Sequence, residues 1–207
     1  MINLTVDEEK DLGVIVSKDL KWDKQCSQAV KKANKMLGVI KRNFTDRFKE
    51  TIMPLYKSLV RPHLEYCVPI WSPHYQKDIE LVEGVQRHAT KLIEDVRNLH
   101  YEECIKKLNL MTLEKIRHSS DLIKTFKIIN GCYNLQSDLF FTYDEGQRRG
   151  HSKKLYKKHS RLDLRKYVFN NRVIDHWNTL SDVCVTSNTI NQLQNCLKRE
   201  LQPETRS

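Results

Sequence analysis

The segment that decides the fold is WDKQCSQAVKKANKMLGVIKR, residues 22–42. Its apolar side chains recur every three or four residues, which gathers them on one side of a helix, while most of its lysines fall elsewhere on the helical wheel. The segment holds a single acidic residue, Asp23. This pattern predicts an amphipathic helix of about twenty residues, with an apolar side packed into a bundle and a basic side in solvent.

Helical periodicity continues along most of the chain. Pro54 lies inside the second predicted helix, and a proline there either kinks a helix or marks its first turn. Gly131 suits the left-handed position that follows a helix end. The further predicted helices cover about 46–60, 78–94, 101–108, 112–131, 166–179 and 187–201.

Two stretches near the N-terminus favour β-structure. DLGVIV, residues 11–16, is rich in β-branched side chains, and INLTV, residues 2–6, is expected to pair with it across DEEK, residues 7–10. Gly13 is then a candidate bulge, and a further short strand is expected near residues 160–164. The fold class predicted is mainly α: a helical bundle with a small N-terminal β-ribbon and a smaller, basic C-terminal helical subdomain. The loop at 142–150 predicts a boundary between 1–141, the ribbon and bundle, and 142–207, the basic loop and helical tail.

Composition excludes several classes of protein. The chain has 207 residues, of which 39% are hydrophobic, and no window approaches the roughly 20 apolar residues that a membrane span needs. The six cysteines are widely spaced without a C-x-x-C pair, which argues against a zinc ribbon and a disulfide scaffold. The acidic N-terminus does not resemble a signal peptide. We therefore expect an intracellular protein, nuclear or cytoplasmic and not secreted, with reduced thiols.

The positive charge is concentrated in two windows. The chain carries 36 Lys and Arg against 26 Asp and Glu, a net charge of +10. Residues 24–61 hold ten basic residues against two acidic ones, and residues 147–172 hold ten against one, so the rest of the chain is net acidic. Two basic surfaces on an otherwise acidic chain are typical of a protein that binds a polyanion, although solvated helix faces also carry lysines.

No pattern typical of catalysis occurs in the sequence. Glycine-rich phosphate loops and the G-x-S-x-G nucleophile motif are absent. Adjacent acids, such as Glu94 and Asp95, are more typical of helix ends than of a two-metal site. His63 and Cys67 fall in a proline-rich stretch that favours core packing. No catalytic residue, metal ligand, cofactor or small-molecule substrate is predicted for this chain.

Several longer strings carry a resemblance to a known family. They run in order from about residue 8 to residue 200 and include unusual combinations, such as YKSLVRPHLEYC followed by WSP. In sequence order they are KDLGVIVSKDLKWDKQ (10–25), KANKMLGVIKRNF (32–44), LYKSLVRPHLEYCVPIWSPHYQKDIELVEGVQRHATKLI (55–93), TLEKIRHSSDLIKTFKIING (112–131) and RGHSKKLYKKHSRLDLRKYVFNNRVIDHWNTL (149–180). The chain thereby resembles the C-terminal region of reverse transcriptases from non-LTR, LINE-type retrotransposons of the Jockey-like group.

The resemblance implies a fold and a role. In such RNA-directed DNA polymerases this region is the thumb and the tail beyond it, and the helical thumb holds the template–primer duplex. The palm, whose paired aspartates bind Mg²⁺, precedes it and has no counterpart here, since the chain contains no Asp-Asp pair. The expectation is a transposable-element fragment that binds RNA and DNA with low sequence specificity and cannot polymerise alone.

Thirteen of the basic residues in the two windows are the candidate contacts to nucleic acid. In this interpretation the candidates on the predicted first helix face the duplex. The candidates of the second window continue the contact along the nucleic acid. The candidates are Lys31, Lys32, Lys35, Lys41, Arg42, Arg148, Arg149, Lys153, Lys154, Lys157, Lys158, Arg161 and Arg165.

Two alternatives to this function stay open. The bundle could be a structural or protein-interaction module, or a decayed element fragment with no selected activity. An enzyme active by itself is a third hypothesis, which nucleotide incorporation by the purified chain would establish.

Overall fold

The structure, a computed structural model, describes residues 7–144, 146 and 150–201. It is mainly helical with one small N-terminal hairpin, which confirms the predicted fold class. The chain divides into two compact units, Met1–Glu114 and Lys115–Ser207. The predicted boundary at 141/142 falls within the second unit, where Phe141 belongs to the same buried cluster as Leu155.

The elements follow one another with short connections. The hairpin strands are β1 (Glu8–Asp11) and β2 (Val14–Ser17). The helices are α1 (Asp23–Asn43), α2 (Lys49–Leu55), α3 (Arg61–Glu65), α4 (Gln76–Thr90), α5 (Tyr101–Lys107), α6 (Leu113–Ile129), α7 (Asp163–Lys166), α8 (Phe169–Thr179), α9 (Asp182–Val185) and α10 (Ile190–Leu201). A π-helical turn, Tyr56–Val60, joins α2 to α3, and 3-10 turns occupy Glu94–Val96 and Ser137–Leu139.

The hairpin is real, but its predicted pairing was wrong. The DEEK segment, predicted as the connection, supplies most of β1, and residues 2–6 lie outside the described residues. The turn is Leu12–Gly13, with φ of 44° and 86°. Positive φ at both turn positions suits the right-handed twist of a two-residue hairpin, and glycine adopts it without strain. Gly13 is therefore a turn residue and not a bulge.

Helix α1 forms where the periodicity predicted it and is the central helix of the first unit. Its buried side includes Ala29, Ala33, Leu37 and Ile40, and it packs against α4, α3 and the π turn. Gln25, also buried, accepts a hydrogen bond from the Ile15 amide at 2.8 Å. Polar and apolar contacts on one side of α1 thus join the hairpin to the bundle.

The proline-rich stretch, in which the sequence favours core packing, is only partly buried: Leu64, Val68 and Trp71 are in the core, whereas Tyr66 and Ile70 are about half exposed. Pro54 lies inside α2, and the π turn that follows ends one residue before α3 reaches Pro62 in its first turn. A π turn widens the helix, which relieves the clash of a proline ring with the carbonyl four residues earlier. The chain then leaves the helix at Tyr66, whose carbonyl accepts a hydrogen bond from Nε1 of the fully buried Trp71 at 2.7 Å.

A buried polar network, which the sequence did not predict, holds α4 to its neighbours. Gln86 accepts a hydrogen bond from the Tyr56 hydroxyl at 2.8 Å and donates to the Met111 carbonyl at 2.9 Å. Glu83 accepts hydrogen bonds from the Tyr101 hydroxyl and from the Leu113 amide. Burial raises the pKa of both tyrosines far above the ordinary value, which keeps their hydroxyls protonated as donors. Each of these polar groups has a partner, so the network stabilises the core.

The second unit is built around Trp177, which is completely buried. Its indole Nε1 donates to the Lys153 carbonyl at 2.8 Å, and the side chain of Asn178 makes two hydrogen bonds to the backbone of Leu155, at 2.9 and 2.8 Å. The backbone of Lys153 and of Leu155 is thereby tied to α8. The strand expected near 160–164 is wrong, because α7 begins at Asp163 and the β-structure among the described residues of this unit is a single bridge between Tyr143 and Leu155.

The expectation that all thiols are reduced is wrong for one pair. Cys184 on α9 and Cys196 on α10 form a disulfide, with their Cα atoms 5.5 Å apart. The two short helices pack together across a brief connection, and that packing brings the two cysteines into bonding range. The two cysteines are 12 residues apart in the sequence, and this spacing alone does not predict a disulfide.

No helix within the described part of the chain is both long and apolar enough to cross a membrane.

The packing of α1 can be tested at Ala33, which is fully buried. We expect Ala33→Leu to lower the free energy of unfolding by about 1–3 kcal/mol, because the added carbons have no free volume to occupy. Urea denaturation of the full chain measures this change. The matched control is Asn34→Leu at the adjacent exposed position; equal effects of the two substitutions would contradict the packing described for α1.

Candidate nucleic-acid interface

The five candidate residues of α1 are all exposed, on the part of the helix that faces away from the core. At 3.6 residues per turn, Lys31, Lys35 and Arg42 lie within about 40° of one another around the axis, and Lys32 and Lys41 flank them on opposite sides. Ala33 and Ile40, which are buried, point roughly the opposite way. We call these five residues the α1 basic face. From Lys31 to Arg42 it is about 16 Å long, at 1.5 Å per residue.

The charges of the α1 basic face are not neutralised by carboxylates of the described residues. No such carboxylate forms an ion pair with Lys31, Lys32, Lys35 or Lys41. Asp23 is the single acid of α1, and none of the four lysines has a carboxylate at position i±4. Gly38 lies on the same face, where a Cβ would sit 3.6 Å from Nη1 of Arg42. A distance of 3.6 Å is an ordinary van der Waals contact, so the guanidinium lies along the helix beside Gly38 without requiring a glycine there.

A neighbouring lysine, Lys24, differs from this set. It lies on the same side of α1, but its ammonium forms an ion pair with Glu8 of β1. The pKa of Lys24 is raised by that hydrogen bond to Glu8. Pairing with the hairpin therefore removes one lysine from the cations of α1 that remain open to a ligand.

The second basic segment is partly used for folding. Arg148 and Arg149 lie outside the described residues. Lys153 donates to the Asn130 side chain at 2.9 Å, and Lys157 forms an ion pair with Asp175 of α8. Lys154 is half-buried beside Gly150.

The other candidates in this segment are exposed: Lys158, Arg161 and Arg165. Lys158 and Arg165 line one pocket, together with Tyr156 and Phe140. The structure thus brings two of the predicted cations together around a cavity, and it assigns Lys153 and Lys157 to contacts within the unit.

Arg172, counted within the second basic window, has a structural role. Its Nε and Nη2 donate to the two carboxylate oxygens of Asp121 on α6, at 2.9 and 3.1 Å. Asp121 is 3% exposed. Burial raises the pKa of this carboxyl, and the hydrogen bonds from Arg172 oppose that rise. A buried bidentate pair of this kind joins two helices and is not available to a ligand.

Two histidines stack beside this ion pair. The rings of His118 on α6 and His176 on α8 are 4.4 Å apart between centroids. Burial lowers the pKa of His118 to about 4, and repulsion from His176 and Arg172 acts in the same direction. His118 is therefore neutral at physiological pH. Sequence inspection did not single out either histidine, since the contact depends on the pairing of two distant helices.

The described residues offer one converging set of potential metal ligands, which are Cys184, Cys196 and Glu200. Their ligand atoms lie within 4.8 Å of one another. The two sulfur atoms are joined in the disulfide, however, and only a free thiolate is an effective ligand. The arrangement in this structure does not fit a metal site.

No protein-family model matches this chain, and neither curated proteins nor solved structures show a significant similarity to it.

The His118–His176 pair predicts an acid-sensitive second unit. The folded pKa of about 4 is below the ordinary value of about 6.5, so the unfolded chain takes up the proton first as the pH falls. The contribution of neutral His118 to the free energy of unfolding is full above pH 6.5 and is lost between about pH 6.5 and 4. The loss is at most about 2 kcal/mol, because the partly exposed ring is screened by solvent. We expect His118→Gln to reduce this pH dependence in denaturation experiments. His159→Gln, at an exposed histidine, is the control; a pH dependence that both variants retain in full would rule out His118 as its source.

Proposed function

We propose that this chain binds nucleic acid through the sugar–phosphate backbone, with the α1 basic face as the principal contact. The ligand proposed is a template–primer duplex of RNA and DNA, bound with little sequence specificity. Contacts from lysine and arginine to phosphates set the position of a duplex but do not read its bases.

The observation that carries this proposal is the arrangement of charge on α1. Its cations lie on one side of a rigid helix whose opposite side is fixed in the core, and no carboxylate of the described residues pairs with its lysines at positions 31, 32, 35 and 41. Phosphates repeat about every 3.4 Å along one strand of a duplex, so a face of about 16 Å is long enough to meet several of them. The lysines replace condensed counterions, and the release of those ions favours binding.

The resemblance to LINE-type reverse transcriptases supports a template–primer duplex over other polyanions. In that family the corresponding helical region holds such a duplex behind the active site. On this proposal the chain is the thumb and tail of a non-LTR reverse transcriptase, acts inside the cell, and contributes binding. The bond-forming chemistry and its Mg²⁺ belong to a palm.

Salt dependence tests the proposal. We expect the full chain to bind an RNA–DNA duplex with a log K that falls linearly with log salt concentration. Replacing three lysines in Lys31→Gln/Lys32→Gln/Lys35→Gln should weaken binding and reduce the magnitude of the slope by about 2–3, because each phosphate that a lysine neutralises accounts for about 0.7–0.9 of the slope. Fluorescence anisotropy between about 50 and 200 mM salt measures both effects.

The matched control removes the same charge elsewhere in the first unit. Lys57, Lys77 and Lys106 are exposed and lie outside α1. Their combined replacement by glutamine should leave the slope nearly unchanged. Equal slopes for the α1 variant and the unmodified chain would refute the proposed face, and a chain that binds no duplex even at low salt would refute the function and leave a structural or protein-interaction role.

A further inference from the structure

The second unit contains a surface pocket of about 470 Å³ that the proposed duplex contact does not use. Three stretches meet there: residues 138–142, residues 156–160 and residues 165–174, which run from the end of α7 into α8. Phe141 and Ile174, both buried, form part of its base. Its volume is within the range of about 300–1,000 Å³ typical of small-ligand sites.

The walls of the pocket are held by hydrogen bonds. The Tyr156 amide donates to the Thr142 carbonyl at 2.8 Å, next to the bridge between Tyr143 and Leu155. Across the pocket, the buried Asn171 side chain donates to Ser160 Oγ at 3.4 Å and to the Arg165 carbonyl at 3.3 Å. The stretches that line the cavity are thus tied to one another before any ligand binds, which lowers the entropic cost of binding.

The pocket combines aromatic surface with positive charge. Tyr156 is 49% exposed and Phe140 is partly buried, so both can offer ring surface to a ligand. Lys158 and Arg165 are exposed at the same cavity, and among the described residues Asp138 is the one carboxylate in its lining. An occupant that fits this set has a flat ring and one or two negative charges. A free polyphosphate would gain nothing from the aromatic surface and would be repelled by Asp138.

We propose that this pocket receives one nucleotide of a single-stranded RNA or DNA, with the base against Tyr156 and Phe140 and a phosphate near Lys158 and Arg165. Stacking on aromatic side chains is available to every base, and it requires that the base be unpaired and turned out of its own stack. This inference rests on the proposed function for the class of ligand. It concerns a different surface and a different strand state, since the α1 basic face is proposed to contact a duplex.

The test compares a labelled six-nucleotide oligouridylate with an RNA–DNA duplex, both titrated against the full chain. Tyr156→Ala should weaken binding of the hexamer about tenfold, as expected for the removal of one stacking platform, and leave duplex binding unchanged. Tyr156→Phe keeps the ring and should bind like the unmodified chain. Lys158→Gln/Arg165→Gln should weaken hexamer binding, whereas the matched control Lys198→Gln/Arg199→Gln, on the exposed side of α10, should not.

The outcomes separate this inference from the proposed function. The pocket would be overturned if Tyr156→Ala and Lys158→Gln/Arg165→Gln both bind the hexamer with an affinity within about twofold of that of the unmodified chain. This holds whatever effect the α1 variant has on duplex binding. Displacement of the hexamer by inorganic phosphate as readily as by uridine monophosphate would also overturn it, because the base would then contribute nothing. A third outcome is that Tyr156→Ala weakens hexamer binding while the α1 variant leaves the salt dependence of duplex binding unchanged. That result would support the pocket and refute the α1 basic face.

Discussion

The placement of positive charge in the first unit depends on one constraint, which is that α1 buries a narrow strip of small and aliphatic side chains against α4 and α3. Ala29, Ala33 and Ile40 leave little choice of rotation about the helix axis, because a turned helix would place lysines in the core. The direction of the basic side chains is therefore fixed by packing on the other side of the same helix. The choice of core residues in α1 thus also determines where its cations point.

The two basic regions show why charge density alone is a poor guide to a binding surface. In α1 the lysines of the basic face are exposed and have no carboxylate partner among the described residues. In the second region, Lys157 and Arg172 pair with Asp175 and Asp121, so part of the positive charge serves the fold. What distinguishes Lys158 and Arg165 from these is their position at a cavity, which only the folded chain shows.

The amphipathic helices were predictable because their signal is local. The 3.6-residue period of residues 22–42 predicted α1 nearly to its ends, and Gly131, with φ of 66°, follows the end of α6 as its sequence position predicted. The hairpin was predicted with the wrong partner strand. Strands of four residues contain too few alternating positions for the sequence pattern to locate the Leu12–Gly13 turn between them.

Contacts between distant segments were not predictable. The Glu83–Gln86 network, the Asp121–Arg172 ion pair and the disulfide each join residues that no local pattern relates. The exposure of the candidate lysines on α1 followed from the helical wheel. The pocket at Tyr156 did not, because three separate stretches form it.

The central claim is that the lysines of α1 lie against a nucleic-acid backbone, and acetylation footprinting by mass spectrometry tests it most directly. The chain is acetylated with and without a saturating RNA–DNA duplex, and the modification rate of each lysine is compared. We expect protection of Lys31, Lys32, Lys35 and Lys41, with no change at Lys57, Lys77 and Lys106, which are exposed elsewhere in the first unit. The claim would be contradicted if the duplex is shown to bind and the α1 lysines are acetylated at the same rate with and without it.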